Sequence, residues 1–217
     1  MYVVTVDQQG SRRGPDLVPQ LLAALPGMPG TVLPFERTVG DEVQAVLDDP
    51  YSVVELTLHL LRTGGWSVGI GAGPVDEPLP RSTREASGPA FIAAREAVEA
   101  AKNRGRPVPL AVRGRSELAA RDAEAVLTLL GSVVVRRSAA GWEAVDAERR
   151  ARSSTSPDGA VQQAAAASLG ISQQAVSQRL KAAMWAEERA ARPAAARLLA
   201  AAAGSPPTES EPSGADG

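Results

Sequence analysis

Two short words in this sequence hold the residues whose types and spacing could do chemistry. The first is QAAAASLGISQQAVSQRLKAA, residues 163–183. Two helices that cross at a tight turn need a small residue inside the first, and Ala166 stands there. Four residues on, Gly170 makes the turn, Ile171 is the apolar plug beneath it, and Ser172 can cap the second helix with its hydroxyl. Val176 and Leu180 then face the core, four residues apart. Every slot of a helix-turn-helix is filled in register. The second helix would enter a DNA major groove with its N-terminal residues at base edges. Ser172, Gln173, Gln174, Ser177 and Gln178 occupy that exposed face. Glutamine can pair bidentately with adenine, while Arg179 and Lys181 suit phosphates, which set affinity rather than sequence. The plainer alternative is an alanine-rich helical hairpin that contacts protein. The filled slots and a basic setting favour double-stranded DNA. With so few aromatics, a stacking platform for single strands is not expected.

The second word is GDE, residues 40–42, with Asp7 upstream. The elements around these carboxylates predict their meeting. Tyr2 to Val6 is a β-branched strand, and Leu17, Leu21, Leu22 and Leu25 recur at helical spacing. Thr31 to Thr38 and Glu42 to Leu47 read as two strands around a turn near Gly40-Asp41. Asp48-Asp49-Pro50 opens a helix that Thr63-Gly64-Gly65 ends. Trp66 to Ala72 is a strand whose alternate glycines leave one face bare, so another element can approach closely. A proline-rich loop, a helix over residues 89–103 and a strand over 108–112 follow. The first six elements form a split βαβ, or ferredoxin-like, βαββαβ order. That topology sets Asp7, at the end of the first strand, near Asp41. The alternative is that Asp41 stabilises a type I′ turn and Asp7 caps a loop.

From about Ser116 the chain turns to alanine-rich helices, first over 116–130, then a VVV patch, a segment with Trp142, and helical pieces over 160–191. The expected class is therefore α+β. A ferredoxin-like domain spans residues 1–113, and an all-α domain spans 114–203 with its helix-turn-helix at about 160–185. Residues 204–217 form a polar, acidic tail expected to be disordered.

Charge follows the same plan. The net charge of −2 conceals −4 over residues 1–104, +5 over 105–203 and −3 over 204–217. A basic half suggests a polyanionic partner, although an Ala-, Arg-, Gly- and Pro-rich composition with two lysines also fits codon bias. The absence of cysteine excludes disulfides, thiolate metal sites and a cysteine nucleophile. The lone His59 excludes a His-rich metal site within one chain. No apolar run of membrane-spanning length and no secretory layout at the N-terminus occur, so a cytoplasmic protein is expected.

Residues 37–75 resemble the central stretch of class III nucleotidyl cyclases, in which a GDE-type hairpin leads through a helix to a glycine-bearing strand. VDQQGS resembles the cyclase first strand, with Asp7 and Gly10 in the matching places. Over roughly residues 1–185 the chain resembles the SatD-like family through the words GDEVQ (40–44), GIGAG (69–73) and GPAFIAAR (88–95), followed by a helix-turn-helix. The resemblance implies a palm-like domain in which Asp7, Asp41 and Glu42 hold Mg²⁺ with a nucleotide and Arg95 neutralises phosphate. Several expected groups are missing. Phe91 and Ile92 stand where the cyclase has asparagine, Ser11 replaces an aromatic residue, and no lysine lies in residues 1–101. The full DNA-binding pattern and the depleted catalytic set together favour a dimeric DNA-binding transcriptional regulator over a Mg²⁺-dependent cyclase-like enzyme. The palm domain would then serve dimerisation or nucleotide and metal sensing.

Overall fold

The structure, a computed structural model, describes residues 1–11, 14–25, 27–154 and 158–204. The Arg12-Arg13 pair, the middle of the loop 153–159 and the tail from residue 205 onward lie outside the described residues. The chain is α+β, built on one five-stranded mixed sheet.

The order begins β1 (Tyr2–Gln8), α1 (Val18–Ala24), β2 (Thr31–Arg37), β3 (Glu42–Leu47), α2 (Pro50–Thr63) and β4 (Trp66–Ala72). A 3₁₀ turn at Thr83–Glu85 leads to α3 (Pro89–Ala101) and β5 (Leu110–Gly114). Five helices follow: α4 (Glu117–Arg136), α5 (Ala139–Ser153), α6 (Asp158–Leu169), α7 (Gln173–Ala182) and α8 (Trp185–Ala202). The strands lie in the order β2-β3-β1-β4-β5; β1 is antiparallel to β3 and β4, and β5 is parallel to β4. Local chemistry starts α2 as expected. The Asp49 carboxylate accepts the N–H groups of Tyr51 and Ser52, and Pro50 fills the first helical position.

Each strand face meets a different layer. Val4, Val6, Val43, Leu47, Val68 and Ile70 point into a large core closed by α2, α4 and α8. The opposite face carries α3, with Ala90 and Ala94 against Val3 and Val46. The glycines of β4 make that seat. A Cβ at Gly71 would stand 2.0 Å from the Ala90 carbonyl oxygen, and one at Gly69 would stand 2.3 Å from the Val98 nitrogen. The backbone of α3 therefore lies directly on the strand, which is the close approach that the alternating glycines predict.

Two helices from the alanine-rich half belong to this sheet core. Leu127 and Leu130 of α4 and Leu199 of α8 are buried in it. Helix α4 also runs through the VVV patch, with Val134 buried. Tertiary burial there overrides the β propensity of three valines. Between α4 and α8, helices α5, α6 and α7 enclose a second, smaller core of Ala144, Val145, Ala165, Ala166, Val176 and Leu180.

Charged pairs join this trio to the sheet layer. Arg62 of α2 binds Asp146 of α5 bidentately at 2.7 and 2.5 Å. Arg149 of α5 meets Glu55 of α2 at 2.7 Å. Arg137, in the α4–α5 link, and Arg192 both bind Glu188 of α8, and the side chains of Arg137 and Glu188 are fully buried. The Arg62 and Arg137 guanidiniums also stack on the Trp142 ring, at 3.8 and 4.3 Å from its centroid.

Candidate functional sites

The acid end of β1 assembles much as the topology predicts. Asp7 lies opposite Glu42 in the β1–β3 ladder, and the Gln8 N–H reaches the Asp41 carbonyl at 3.3 Å. The hairpin tip closes through Glu42 N–H donating to the Val39 carbonyl at 3.1 Å, with Gly40 at φ +62°. Among the described residues only Met184 is a non-glycine with positive φ, so Asp41 does not sit in a type I′ turn, which needs positive φ at both central residues. Glu42 is held from within the hairpin, where Thr38 Oγ1 donates to Glu42 Oε1 at 2.6 Å.

A lysine completes this end. Lys102, one residue beyond α3, places Nζ 3.1 Å from Asp7 Oδ1 and 2.7 Å from Glu99 Oε1. Burial raises the Asp7 pKa above the ordinary carboxylate value. Lys102 opposes that shift, while the charges of Asp41 and Glu99 add to it. Burial works to lower the Lys102 pKa, but its hydrogen bonds and charge pairing with Glu99 and Asp7 prevail and raise it. Asp7, Asp41 and Glu42 are hard oxygen donors of the type that Mg²⁺ takes. With an ammonium already on Asp7, the group fits a salt bridge better than a divalent ion. Lys102 escapes sequence reading because only the seating of α3 on the glycine strand carries its C-terminus back to Asp7.

Beside this end, a cavity of about 440 Å³ opens between the β2–β3 hairpin and α3. Thr5, Glu42, Gln44, Arg84, Phe91 and Arg95 are among its walls; Asp7 and Asp41 are not. Gln44 Nε2 donates to Thr5 Oγ1 at 2.7 Å. Arg95 and Arg84 are exposed. Arg95 thus shares a cavity with Glu42 and not with Asp7. Arg84 has no sequence signal of its own, since it sits in a loop.

Helices α6 and α7 meet at a three-residue turn. Gly170 adopts φ +64°, Ile171 N–H donates to the Ala166 carbonyl at 3.2 Å, and Ser172 Oγ accepts the Ala175 N–H at 3.2 Å. Val176 and Leu180 are buried, Ala166 lies beneath them, and Ile171 packs at the edge of the same cluster. Ser172, Gln173, Gln174, Ser177, Gln178 and Lys181 are all exposed. The side chains of Gln173, Gln174, Ser177, Gln178 and Lys181 make no hydrogen bond to the other described residues. Arg179 differs. It is half-buried and pairs with Glu143 of α5 at 3.2 Å, so its charge is partly spent inside the trio.

Away from these sites, His59 stands on the solvent side of α2. Its pKa is lowered by burial of the ring, then by the charges of Arg62 and Arg149. Trp142 is partly buried between the two cores. No described helix is long and apolar enough to cross a membrane. No family model, curated protein or solved structure matches this chain.

Proposed function

We propose that the chain is a sequence-specific double-stranded DNA-binding protein, a transcriptional regulator that reads base edges with α7. One observation carries the reading. The first two turns of α7 present Gln173, Gln174, Ser177 and Gln178 to solvent, with no side-chain partner among the described residues, on a helix held by its cap and by Val176 and Leu180. We read α6, the turn and α7 as a helix-turn-helix with α5 as its supporting helix, and Lys181 as a phosphate contact. A homodimer would present two such helices to a symmetric site.

The β1-to-β4 order and pairing support a ferredoxin-like reading of the sheet unit, of the kind used by nucleotidyl cyclases. In this reading the unit is a degenerate palm domain that serves dimerisation or senses a nucleotide. The countercharge on Asp7 and the missing catalytic groups argue against turnover, so the regulator is preferred over a Mg²⁺-dependent enzyme.

The test is selection from a randomised duplex library with the full chain, followed by anisotropy titration of the selected duplex. Affinity should fall log-linearly between about 50 and 200 mM salt, and scrambled duplex should bind at least ~10³-fold more weakly. Absence of duplex binding at the lowest salt would overturn the proposal.

A further inference from the structure

We infer that the cavity between the β2–β3 hairpin and α3 binds a phosphomonoester bearing a planar ring, of nucleoside monophosphate size, without a divalent cation. This deepens the reading of the sheet unit as a ligand-sensing domain and rests on it.

The cationic wall comes first. Arg84 and Arg95 line one cavity, although one comes from the 3₁₀ turn and the other from α3. Neither guanidinium has an ion-pair partner among the described residues. Arginines of neighbouring elements are consumed: Arg37 by Asp16, and Arg106 by Glu124. Two free guanidiniums facing one concavity suit a phosphate's several acceptor oxygens.

The loop that carries Arg84 is pre-organised. Ser82 Oγ donates to Glu36 Oε2 at 2.6 Å, the Arg84 N–H donates to the same oxygen at 3.3 Å, and Thr83 Oγ1 donates to the Pro34 carbonyl at 2.5 Å. These bonds fasten the turn to β2. Binding then needs to order a side chain but not a loop, which lowers its entropic cost.

The remaining walls fit the rest of such a ligand. Phe91 offers an aromatic face, with exposed Val39 and Ile92 beside it. Gln44 has committed its amide N–H to Thr5, so its carbonyl oxygen is free to accept. Glu42 has given Oε1 to Thr38 and retains Oε2. These acceptors suit ring amino groups or sugar hydroxyls. A volume of about 440 Å³ lies in the range of small-molecule sites. Of the three carboxylates that a metal-bridged polyphosphate would call on, only Glu42 lines the cavity; Asp7 and Asp41 lie outside it, and Asp7 is paired with Lys102.

The experiment is calorimetric titration of the full chain with AMP, GMP, adenosine and inorganic phosphate, each in EDTA and in Mg²⁺. At least one monophosphate should bind equally in both buffers, at least tenfold tighter than adenosine. Arg84→Ala and Arg95→Ala should each weaken it tenfold or more; both residues are exposed, and an unchanged melting temperature confirms the fold. Binding that requires Mg²⁺ and is lost in Asp7→Asn would overturn the inference. So would binding indifferent to both arginines, or no binding by either monophosphate. Duplex DNA binding, measured on the same preparations, separates the two readings: DNA bound and no nucleotide bound overturns this inference alone.

Discussion

The acid end of β1, at the edge of the large core, and the outer face of α7, on the smaller one, are both clusters of polar side chains, and they satisfy those side chains differently. At β1 two of the carboxylates find partners within the chain itself: Lys102 on Asp7 and Thr38 on Glu42. Along α7 the side chains of the glutamines and Ser177 are exposed and have no hydrogen-bond partner among the described residues. A polar group already paired must give up that bond before it can take a ligand, whereas a solvated one exchanges water for ligand at little net cost. A dense cluster of carboxylates can thus be less available than a row of neutral amides. Arg84 and Arg95 show the same contrast within the sheet unit, as cations without an ion-pair partner among the described residues, whereas Asp7 is paired with Lys102.

The largest expected effect comes from uncoupling the two regions. Arg137 reaches across from the α4–α5 link to donate to the Ala183 carbonyl at 2.9 Å and to Glu188, both at the α7–α8 junction. Met184, at φ +51°, sits in that junction beside them. Replacing Arg137 with Ala strands a buried carboxylate that keeps only Arg192, and should cost about 3 kcal/mol in urea unfolding. The trio should loosen before the sheet does. Hydrogen exchange that accelerates in α5–α7 and is unchanged in β1 and β4 would bear this out. Uniform acceleration would mean that the two cores unfold as one unit.

A smaller effect tests the comparison directly. Gln173→Ala should weaken specific duplex binding by about 1–3 kcal/mol with little effect on scrambled duplex, whereas Lys181→Ala should weaken both alike. Asp7→Asn should leave both unchanged. If Asp7→Asn alters DNA affinity as much as Gln173→Ala does, the two regions are not separable and the contrast fails.

How far these sites were legible in the sequence depends on how local their causes are. The α6–α7 turn, the Asp49 cap and the bare glycine face of β4 each arise from a few adjacent residues, and each could be read in advance. Asp7 near Asp41 needed only the strand order. Lys102 could not be read, because its position is set by where α3 ends once it has settled on Gly69 and Gly71. Nor could Arg84, whose turn is fixed by bonds to β2 some 46 to 49 residues away. The pairing of Arg137 with Glu188 spans 51 residues, and α4 and α8 join the sheet core over still longer separations. Alanine-rich periodicity shows that a helix exists, but not which of two cores its apolar face enters.

The smallest effect concerns pH at the boundary between the two regions. His59 faces the Arg62–Asp146 and Arg149–Glu55 pairs from α2, and the surrounding protein lowers its pKa, first by burial of the ring and then through the two arginines. The unfolded chain, with His59 near its ordinary 6.5, therefore takes up a proton at a pH where the folded chain does not. In that window the unfolded state binds more protons, so stability rises with pH and is lost as pH falls through 6.5 toward the lower folded value. Because the residue keeps solvent access despite this partial burial, solvent screens the effect and the slope should be shallow. His59→Gln should flatten the pH dependence of the urea midpoint between about pH 7 and 6. An unchanged slope in that variant would mean that neither burial of the ring nor the two arginines shifts His59 far enough to register in the stability of the fold.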